Sequence, residues 1–183
     1  MKFAYSVVNE LKMFLLKLSS KYDEYSLKKE GFKLWKNNGL QILKRFNDPL
    51  VSVSEESELV AIVFGKMFNL DFFVSSEQKY EPSLSRKIIF AYRGGSKKIL
   101  ENLHGDYVVV LIDTCKNTIQ MFNSPFTSKS LYYTQTSREI YISSSMPLLR
   151  ETLPYECQIN KNKIIDMYLK THSLSESAFY NGV

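Results

Sequence analysis

Residues 105–113 read Gly-Asp-Tyr-Val-Val-Val-Leu-Ile-Asp, and the stretch that they open, which runs to Leu149, decides the fold. Three more short apolar runs follow, separated by turn residues: Thr118–Phe122, Leu131–Tyr133 and Glu139–Ser143. Short apolar runs punctuated in this way predict an antiparallel meander. The run from Tyr107 to Ile112 is apolar at every position, which is typical of a strand covered on both faces. We therefore expect layers above and below this sheet.

The composition is that of a globular protein. The chain has 183 residues, of which 44% are apolar and 14% aromatic, which suits one domain with a real core. The net charge of +5 comes from scattered Lys and Arg residues, and no Arg-rich run or RNA-binding aromatic signature is present. No apolar run is long enough to span a bilayer, and Asn9 and Glu10 interrupt any signal-peptide pattern. We expect neither nucleic-acid nor membrane partners, and a cytoplasmic location.

The cysteines and histidines form no recognisable site. Cys115 and Cys157 lack CxxC spacing, and His104 and His172 lie far apart in the sequence. Neither a disulfide framework nor a metal site is therefore expected.

Periodicity predicts the elements outside the meander. Phe3–Val8 reads as a strand, and apolar residues at helical spacing predict an amphipathic helix from a cap at Asn9 to about Lys21. Residues 22–31, 54–58 and 74–85 read as loops. Two strands, Phe32–Lys36 and Leu40–Phe46, flank an Asn-Asn-Gly turn. The remaining predicted elements are a strand Leu59–Phe64, a helix from Ser85 to Tyr92, short helices from Ser96 and Ser145, a strand Glu156–Ile159 and a helix capped by Asn160.

This order of elements predicts an α+β fold, a four-layer α/β/β/α sandwich of two mainly antiparallel sheets, in a single domain over residues 1–183. Helices on the outside of two sheets would satisfy the burial that the continuous apolar strands demand.

Several motifs resemble the glutaminase half of asparagine synthetase, a class II amidotransferase domain with the N-terminal-nucleophile hydrolase-like fold. The resemblance rests on their order and spacing along nearly the whole chain: Ile62–Asn69, Ile99–Asp113, Lys129–Tyr133, Ile140–Ser144, Pro147–Leu149 and Ser177–Val183. In the family, the second of these motifs reads helix, Leu-x-Gly, apolar strand, Asp, and the third reads Lys-Pro-Leu-Tyr-Tyr.

The departures from the family pattern fall on its chemistry. Active members expose an N-terminal cysteine as nucleophile, whereas residue 2 here is Lys. The family's Asn-Gly-Glu supplies an oxyanion-hole amide and a carboxylate for the glutamine ammonium, and these places read Phe64, Gly65 and Lys66. The family's Ser-Asp-x-Glu corresponds to Ser83–Arg86, so a second acidic residue is missing. The resemblance therefore implies a degenerate glutaminase domain with no catalytic residue.

Five residues are the candidates for a residual ligand pocket: Arg45, Gly65, Lys66, Asn69 and Arg86. Arg45 matches the place where the family keeps an arginine for the substrate carboxylate, although a surface strand arginine would look the same. Gly65 and Asn69 are also interpretable as positions required by backbone geometry.

By resemblance to β-lactam synthetases and lasso-peptide macrolactam synthetases, we expect this domain to support an asparagine-synthetase-like ATP-binding domain, located beyond residue 183 or on a separate chain. Such ligases join an amine to an activated carboxylate, so no ammonia from glutamine is needed. ATP and Mg would bind to that synthetase domain and no cofactor to this one, and a peptide substrate is a possible further partner.

Two alternatives remain open. One is a free-standing binding or regulatory module with an anion pocket formed by Lys66, Arg86 and Arg45. The other is a glutaminase with a non-standard nucleophile. The available thiols are Cys115, in the tight turn after Asp113, and Cys157, and neither has a neighbouring His in the sequence.

Overall fold

The computed structural model describes residues 14–19, 32–37, 40–45, 48–94, 102–136, 139–156, 158, 160 and 161. Within these ranges the strands are β1 Phe14–Ser19, β2 Phe32–Asn37, β3 Leu40–Arg45, β4 Val51–Glu56, β5 Leu59–Met67, β6 Gly105–Asp113, β7 Thr118–Asn123, β8 Tyr132–Gln135 and β9 Glu139–Ser143. The α-helices are α1 Leu84–Arg93 and α2 Met146–Thr152, and short 3-10 helices span Leu70–Phe73 and Gln78–Tyr80. The chain divides into two compact units, one built on Asn47–Ser130 and the other on Phe14–Phe46 with Leu131–Val183.

The first unit is an antiparallel sheet of order β4-β5-β6-β7 with α1 packed against β4 and β5. Its two central strands pair along their full length, from Leu59 opposite Asp113 to Met67 opposite Gly105. The apolar side of α1 forms one core cluster with the side chains on one face of β5 and β6, among them Ile88, Ile89, Val63, Val109 and Leu111. The residues between these on β6, such as Val108 and Val110, are also fully buried, as expected for a strand covered on both faces.

Helix α1 is anchored to the sheet by hydroxyl groups. The Ser83 side chain caps the helix by accepting from the Arg86 N–H. Four serine hydroxyls then hydrogen-bond to one another across the helix–strand contact, with Oγ–Oγ distances from 2.8 Å to 3.1 Å: Ser52, Ser54, Ser83 and Ser85. Because Ser85 is fully buried, this network supplies the partners that its hydroxyl needs.

The second unit is an antiparallel sheet of order β2-β3-β1-β9-β8, with α2 packed against β9. The central strand β1 pairs with β3 on one side and β9 on the other. Phe14, Leu15 and Leu16 are fully buried on β1, so both of its faces are covered. Ser145 caps α2 by accepting from the Leu148 N–H, and Pro occupies its first turn.

The predicted α+β fold with two antiparallel sheets is confirmed. The strands predicted at 32–36, 40–46 and 59–64 are present, and β5 continues past Gly65 to Met67. The four runs of the meander are strands, and the helix predicted from Ser145 forms. Within the described residues, no helix has both the length and the apolar character needed to cross a bilayer.

Three local predictions are wrong, and one predicted helix is present with a shifted start. The helix predicted to reach Lys21 is a strand over Phe14–Ser19, because a run of buried apolar residues satisfies a doubly covered strand as well as a helix. The loop predicted at 54–58 belongs to β4 up to Glu56, since its Ser and Glu side chains find partners on α1. The helix predicted from Ser85 starts at Leu84, with Ser83 as its cap. The meander is divided, with β6 and β7 in one sheet and β8 and β9 in the other.

Other predictions lie wholly or partly outside the described residues. These are the strand at 3–8, the first part of the N-terminal helix, the loop at 22–31, the helix from Ser96 and most of the helix after Asn160. In the segment predicted as a strand near the C-terminal end, Glu156 and Gln158 are not in a strand.

Candidate functional site

The candidate site begins at the end of β5, where the sequence resemblance sets Phe64, Gly65 and Lys66 against Asn-Gly-Glu. Phe64 is buried, and Lys66 is exposed. The Gly65 N–H donates to the Leu50 carbonyl oxygen at 2.9 Å, so this amide belongs to the sheet ladder and is not free to bind an oxyanion. The strand end therefore presents a cation and no free amide donor at Gly65.

Two glycines let the backbones of β5 and β6 approach closely at this end. Gly65 has φ of +121° and Gly105 has φ of +154°, a region that side chains disfavour. A Cβ at Gly65 would lie 2.1 Å from the Asp106 carbonyl oxygen, and a Cβ at Gly105 would lie 2.2 Å from that of Lys66. These are positions of backbone geometry, as the sequence interpretation of Gly65 allowed.

A carboxylate and an ammonium occupy the space beside Gly65. Asp106 is opposite Lys66 in the β5–β6 register. Its carboxylate accepts from Lys129 Nζ, from the Thr127 hydroxyl at 2.7 Å, and from both the N–H and the hydroxyl of Ser128 at 3.1 Å. The Lys129 ammonium also lies 5.4 Å from the centroid of the Phe64 ring, which is cation–π distance.

The hydrogen bond from Lys129 is the main reason why the pKa of the Asp106 carboxyl lies well below its usual range, with those from Thr127 and Ser128 adding to it. Asp106 is therefore a fixed anion whose charge is balanced by Lys129. It offers no general base for chemistry near neutral pH.

Asn69 lies just after β5, and its side chain hydrogen-bonds to backbone groups of the segment before β6. Its side-chain amide donates to the Asn102 carbonyl at 2.8 Å, and its oxygen accepts from the His104 N–H at 2.7 Å. This pair of bonds fixes the segment that leads into β6. With its amide used in this way, Asn69 is a positioning residue for the strand end.

Arg86 lies in the first turn of α1 and is held by two carboxylates. Its Nε donates to Glu56 at 2.6 Å and its Nη1 to Glu81 at 3.3 Å. The hydrogen bond and charge of Glu56 raise the pKa of the guanidinium above its already high value. Its plane also lies 5.6 Å from the Phe90 ring centroid. The charge of Arg86 is thus balanced within the first unit.

Arg45 is the last residue of β3, opposite Phe32, and belongs to the second unit. Its side chain lies outside the described part. The structure brings Gly65, Lys66 and Asn69 to one end of β5 and places Arg86 at the start of α1.

A comparison with protein-family models matches residues 40–183 to the glutamine amidotransferase domain. The chain belongs to this family. The match covers the strand end at Gly65, helix α1, the whole of the first sheet and strands β3, β8 and β9 of the second. The amidotransferase resemblance noted in the sequence is therefore confirmed at the level of the domain. No curated protein matches the chain.

Cys115 of this amidotransferase domain lies in an environment that disfavours its thiolate form. It is exposed in the turn between β6 and β7. A hydrogen bond to the Glu58 carboxylate, with smaller contributions from burial and from the charge of Asp113, raises the pKa of its thiol. Since the thiolate is the reactive form, this environment works against catalysis. Within the described ranges, no three His, Cys, Asp or Glu side chains are grouped so as to bind a metal.

Sequence reasoning missed two charged clusters of the domain. Lys129 stands in the Lys-Ser-Leu-Tyr-Tyr motif, but nothing local pairs it with Asp106. In the second unit, Lys17 is buried on β1 and pairs with Glu139 at 2.8 Å, and Tyr141 donates to the same carboxylate at 2.6 Å. Burial and this acceptor raise the pKa of Tyr141 to about 12. A lysine inside the apolar run of β1 was the available signal.

Proposed function

We propose that this glutamine amidotransferase domain does not hydrolyse glutamine and serves as the scaffold of an asparagine-synthetase-related, ATP-dependent amide-forming ligase. The observation that carries the proposal is Lys66. An exposed ammonium stands where the family resemblance places the carboxylate that binds the glutamine α-ammonium. Like charges at this position repel the substrate that a glutaminase must bind.

The surroundings of Lys66 support the same conclusion. The Gly65 N–H is used by Leu50, and the neighbouring anion Asp106 is neutralised by Lys129. Loss of one oxyanion donor typically lowers kcat by about a hundredfold or more. With Lys at position 2 as well, nucleophile, oxyanion donor and ammonium-binding carboxylate all depart from the family pattern.

The scaffold role follows from the contrast between preserved fold and altered chemistry. The apolar strands, the close contact of β5 and β6, and the capped helices keep the domain stable without an intact glutaminase site. The partner would be a synthetase domain, in cis or in trans, that binds ATP and Mg and joins an amine to a carboxylate, with a peptide as one possible substrate.

The first experiment measures ammonia and glutamate after incubation of the purified chain with glutamine. We expect no turnover above a buffer blank for the wild type or for Cys115→Ser. Turnover that is lost in Cys115→Ser would establish the alternative with a non-standard nucleophile. Turnover that persists in Cys115→Ser would equally overturn the proposed inactivity.

The second experiment tests the scaffold role with the synthetase-like protein encoded next to this chain or fused to it. We expect the two to copurify and the ligase reaction to proceed with an amine substrate and no glutamine. A synthetase that is equally soluble and active without this chain would contradict the role. The anion-pocket alternative has less support, because Glu56 and Glu81 already neutralise Arg86. Saturable binding of inorganic phosphate that is lost in Lys66→Gln would favour it.

A further inference from the structure

The first unit contains a buried carboxylate oxygen with no hydrogen-bond partner. Asp48 is 5% exposed, and its Oδ2 is the one buried side-chain nitrogen or oxygen of the described residues that lacks a partner. Buried polar atoms are almost always bonded, and an unmet charged acceptor is especially costly. The described residues therefore leave one carboxylate oxygen of Asp48 without the hydrogen-bond donor that its burial calls for.

The local turn provides a hydrogen-bond donor for only one of the two carboxylate oxygens of Asp48. Asp48 and Pro49 begin a turn in which the Val51 N–H donates to the Asp48 carbonyl at 3.4 Å. The Leu50 N–H donates to Asp48 Oδ1 at 2.9 Å. An asparagine would make the same bond through its oxygen, so the turn does not require a second carboxylate oxygen in a buried place.

Asp113 shows what a satisfied buried carboxylate looks like in the same unit. These two are the buried carboxylates of the described residues. Asp113 Oδ1 accepts from the Lys116 N–H at 2.9 Å, just as Asp48 Oδ1 accepts from Leu50, but its Oδ2 also accepts from Lys116 Nζ at 2.8 Å. What Asp48 lacks by comparison is an ammonium group.

The cations at this end of the sheet do not provide it. Lys129 contacts Asp106 and the Phe64 ring, and Lys66 is exposed. The Asp48 turn is joined to the strand end through the bond from the Gly65 N–H to the Leu50 carbonyl. The unpartnered oxygen therefore belongs to the same end of the sheet as the degenerate glutaminase positions.

We propose that Asp48 binds the primary ammonium group of a ligand at this end of the sheet. An ammonium has three N–H donors. Asp48 Oδ2 would accept one of them. Nearby, the Asp48 carbonyl accepts from the Val51 N–H and the Leu50 carbonyl from the Gly65 N–H, and each carbonyl oxygen has a second lone pair. A divalent metal needs several oxygen ligands, and the described residues contain no group of three acidic or histidine side chains. The inference does not rest on the absence of glutaminase activity.

The turn provides its own reporter for the test. Amide nitrogen and proton shifts of the 15N-labelled chain are followed during titration with methylammonium chloride, with tetramethylammonium chloride, which has no N–H donor, as the ionic-strength control. We expect a saturable shift of the Leu50 amide with methylammonium only. The Lys116 amide, which donates to the satisfied Asp113, should not shift. Equal responses to both salts, equal responses at Leu50 and Lys116, or no saturation would each overturn the proposal.

Asp48→Asn is the matched variant, because it keeps the turn and removes the charge. We expect it to bind methylammonium at least about tenfold more weakly, as for loss of a charge-assisted hydrogen bond. Glu77→Gln removes the same charge at an exposed residue and should bind as the wild type does. Unchanged affinity in Asp48→Asn would refute the site. Should that variant not fold, the wild-type comparison of Leu50 with Lys116 still decides.

Two larger probes distinguish an α-ammonium ligand from a lysine side-chain ammonium. Alaninamide presents an α-ammonium, and Nα-acetyl-lysinamide presents the side-chain ammonium of lysine. Tighter binding of the first would assign the site to amino acids or peptide N-termini, and tighter binding of the second to lysine side chains. Failure of both to compete with methylammonium at Leu50 would count against a ligand site.

Discussion

The aspartates at the two ends of strand β6 obtain their hydrogen bonds in different ways. Each end has an aspartate, Asp106 beside Gly65 and Asp113 opposite Leu59. Asp113 takes both of its hydrogen bonds from Lys116, three residues away in the β6–β7 turn. Asp106 takes its bonds from Thr127, Ser128 and Lys129, more than twenty residues away. The donors to Asp113 lie in the adjacent β6–β7 turn, whereas the donors to Asp106 lie in the loop that follows β7.

The end of β6 that is closed by distant residues is also the end that carries Phe64, Gly65 and Lys66, on which the proposed loss of glutaminase activity rests. There the Lys129 ammonium lies 5.4 Å from the centroid of the Phe64 ring. Here the strands also approach closely through glycines of positive φ. The contacts of Asp106 with Thr127, Ser128 and Lys129 therefore stabilise this end. Substitutions at the two ends should therefore have unequal effects.

The largest effect is expected for Gly65→Ala. A Cβ would lie 2.1 Å from the Asp106 carbonyl oxygen and 2.9 Å from the Tyr107 Cα, and the residue has φ of +121°. We expect the free energy of unfolding in urea to fall by about 3 kcal/mol or more. Gly94→Ala is the matched control, because its Cβ would meet nothing closer than 3.4 Å. Equal, small effects of both substitutions would show that the β5–β6 contact is looser than described.

Asp106→Asn should have the next largest effect. It leaves the nearly buried Lys129 ammonium without its carboxylate, and we expect a loss of about 1–2 kcal/mol at neutral pH by urea denaturation. The loss is moderated because Asp106 itself is partly exposed. Lys129→Met should have a similar effect, and a double variant should cost less than the sum of the two.

The pH dependence tests the same bond. The pKa of Asp106 is lowered in the folded state, so its contribution is fully present above the ordinary aspartate pKa of about 3.9 and is lost as pH falls towards the folded value. The wild type should therefore lose more stability between pH 5 and pH 2.5 than Asp106→Asn does. If the two proteins lost the same free energy of unfolding between pH 5 and pH 2.5, the hydrogen bond from Lys129 to Asp106 would not contribute as described.

The sequence predicted the contacts at the Asp113 end of β6 better than those at the Asp106 end. Apolar runs predicted β5 and β6, and both strands are present, with Asp106 and Asp113 near opposite ends of β6. The partner of Asp113 is three residues away in a turn, within reach of sequence reasoning. The partner of Asp106 is not, because only the path of the loop after β7 brings Lys129 back.

The wrong predictions have the same physical origin. Residues 14–19 are apolar enough for a buried helix or a buried strand, and pairing with β3 and β9 decides between them. Ser52, Ser54 and Glu56 look like loop residues until α1 supplies their partners. The passage of the chain from one sheet to the other between β7 and β8 has no local signal. In each case a long-range partner overrides the local pattern.

Asp113→Asn should lower the free energy of unfolding by less than Asp106→Asn does. Asparagine keeps an oxygen for the Lys116 N–H, and the Lys116 side chain is 69% exposed, so its ammonium can return to water. The same urea series as for Asp106→Asn checks this. A cost as large as that of Asp106→Asn would remove the distinction between the two ends of β6.

The smallest effect is expected at the β6–β7 turn, next to Asp113. The Glu58 carboxylate is the main cause of the raised pKa of the Cys115 thiol, so Glu58→Gln should increase the thiolate fraction at neutral pH. We expect alkylation of Cys115 by iodoacetamide at pH 7.5 to become about two- to fivefold faster, followed by the mass of the peptide that contains Cys115. Because Cys115 is exposed, access does not limit the reaction. Glu77→Gln, which removes a carboxylate elsewhere on the surface, should leave the rate unchanged, and a similar acceleration there would assign the effect to net charge. A rate unchanged by Glu58→Gln would mean that this turn does not suppress its thiol, which would restore Cys115 as a candidate nucleophile.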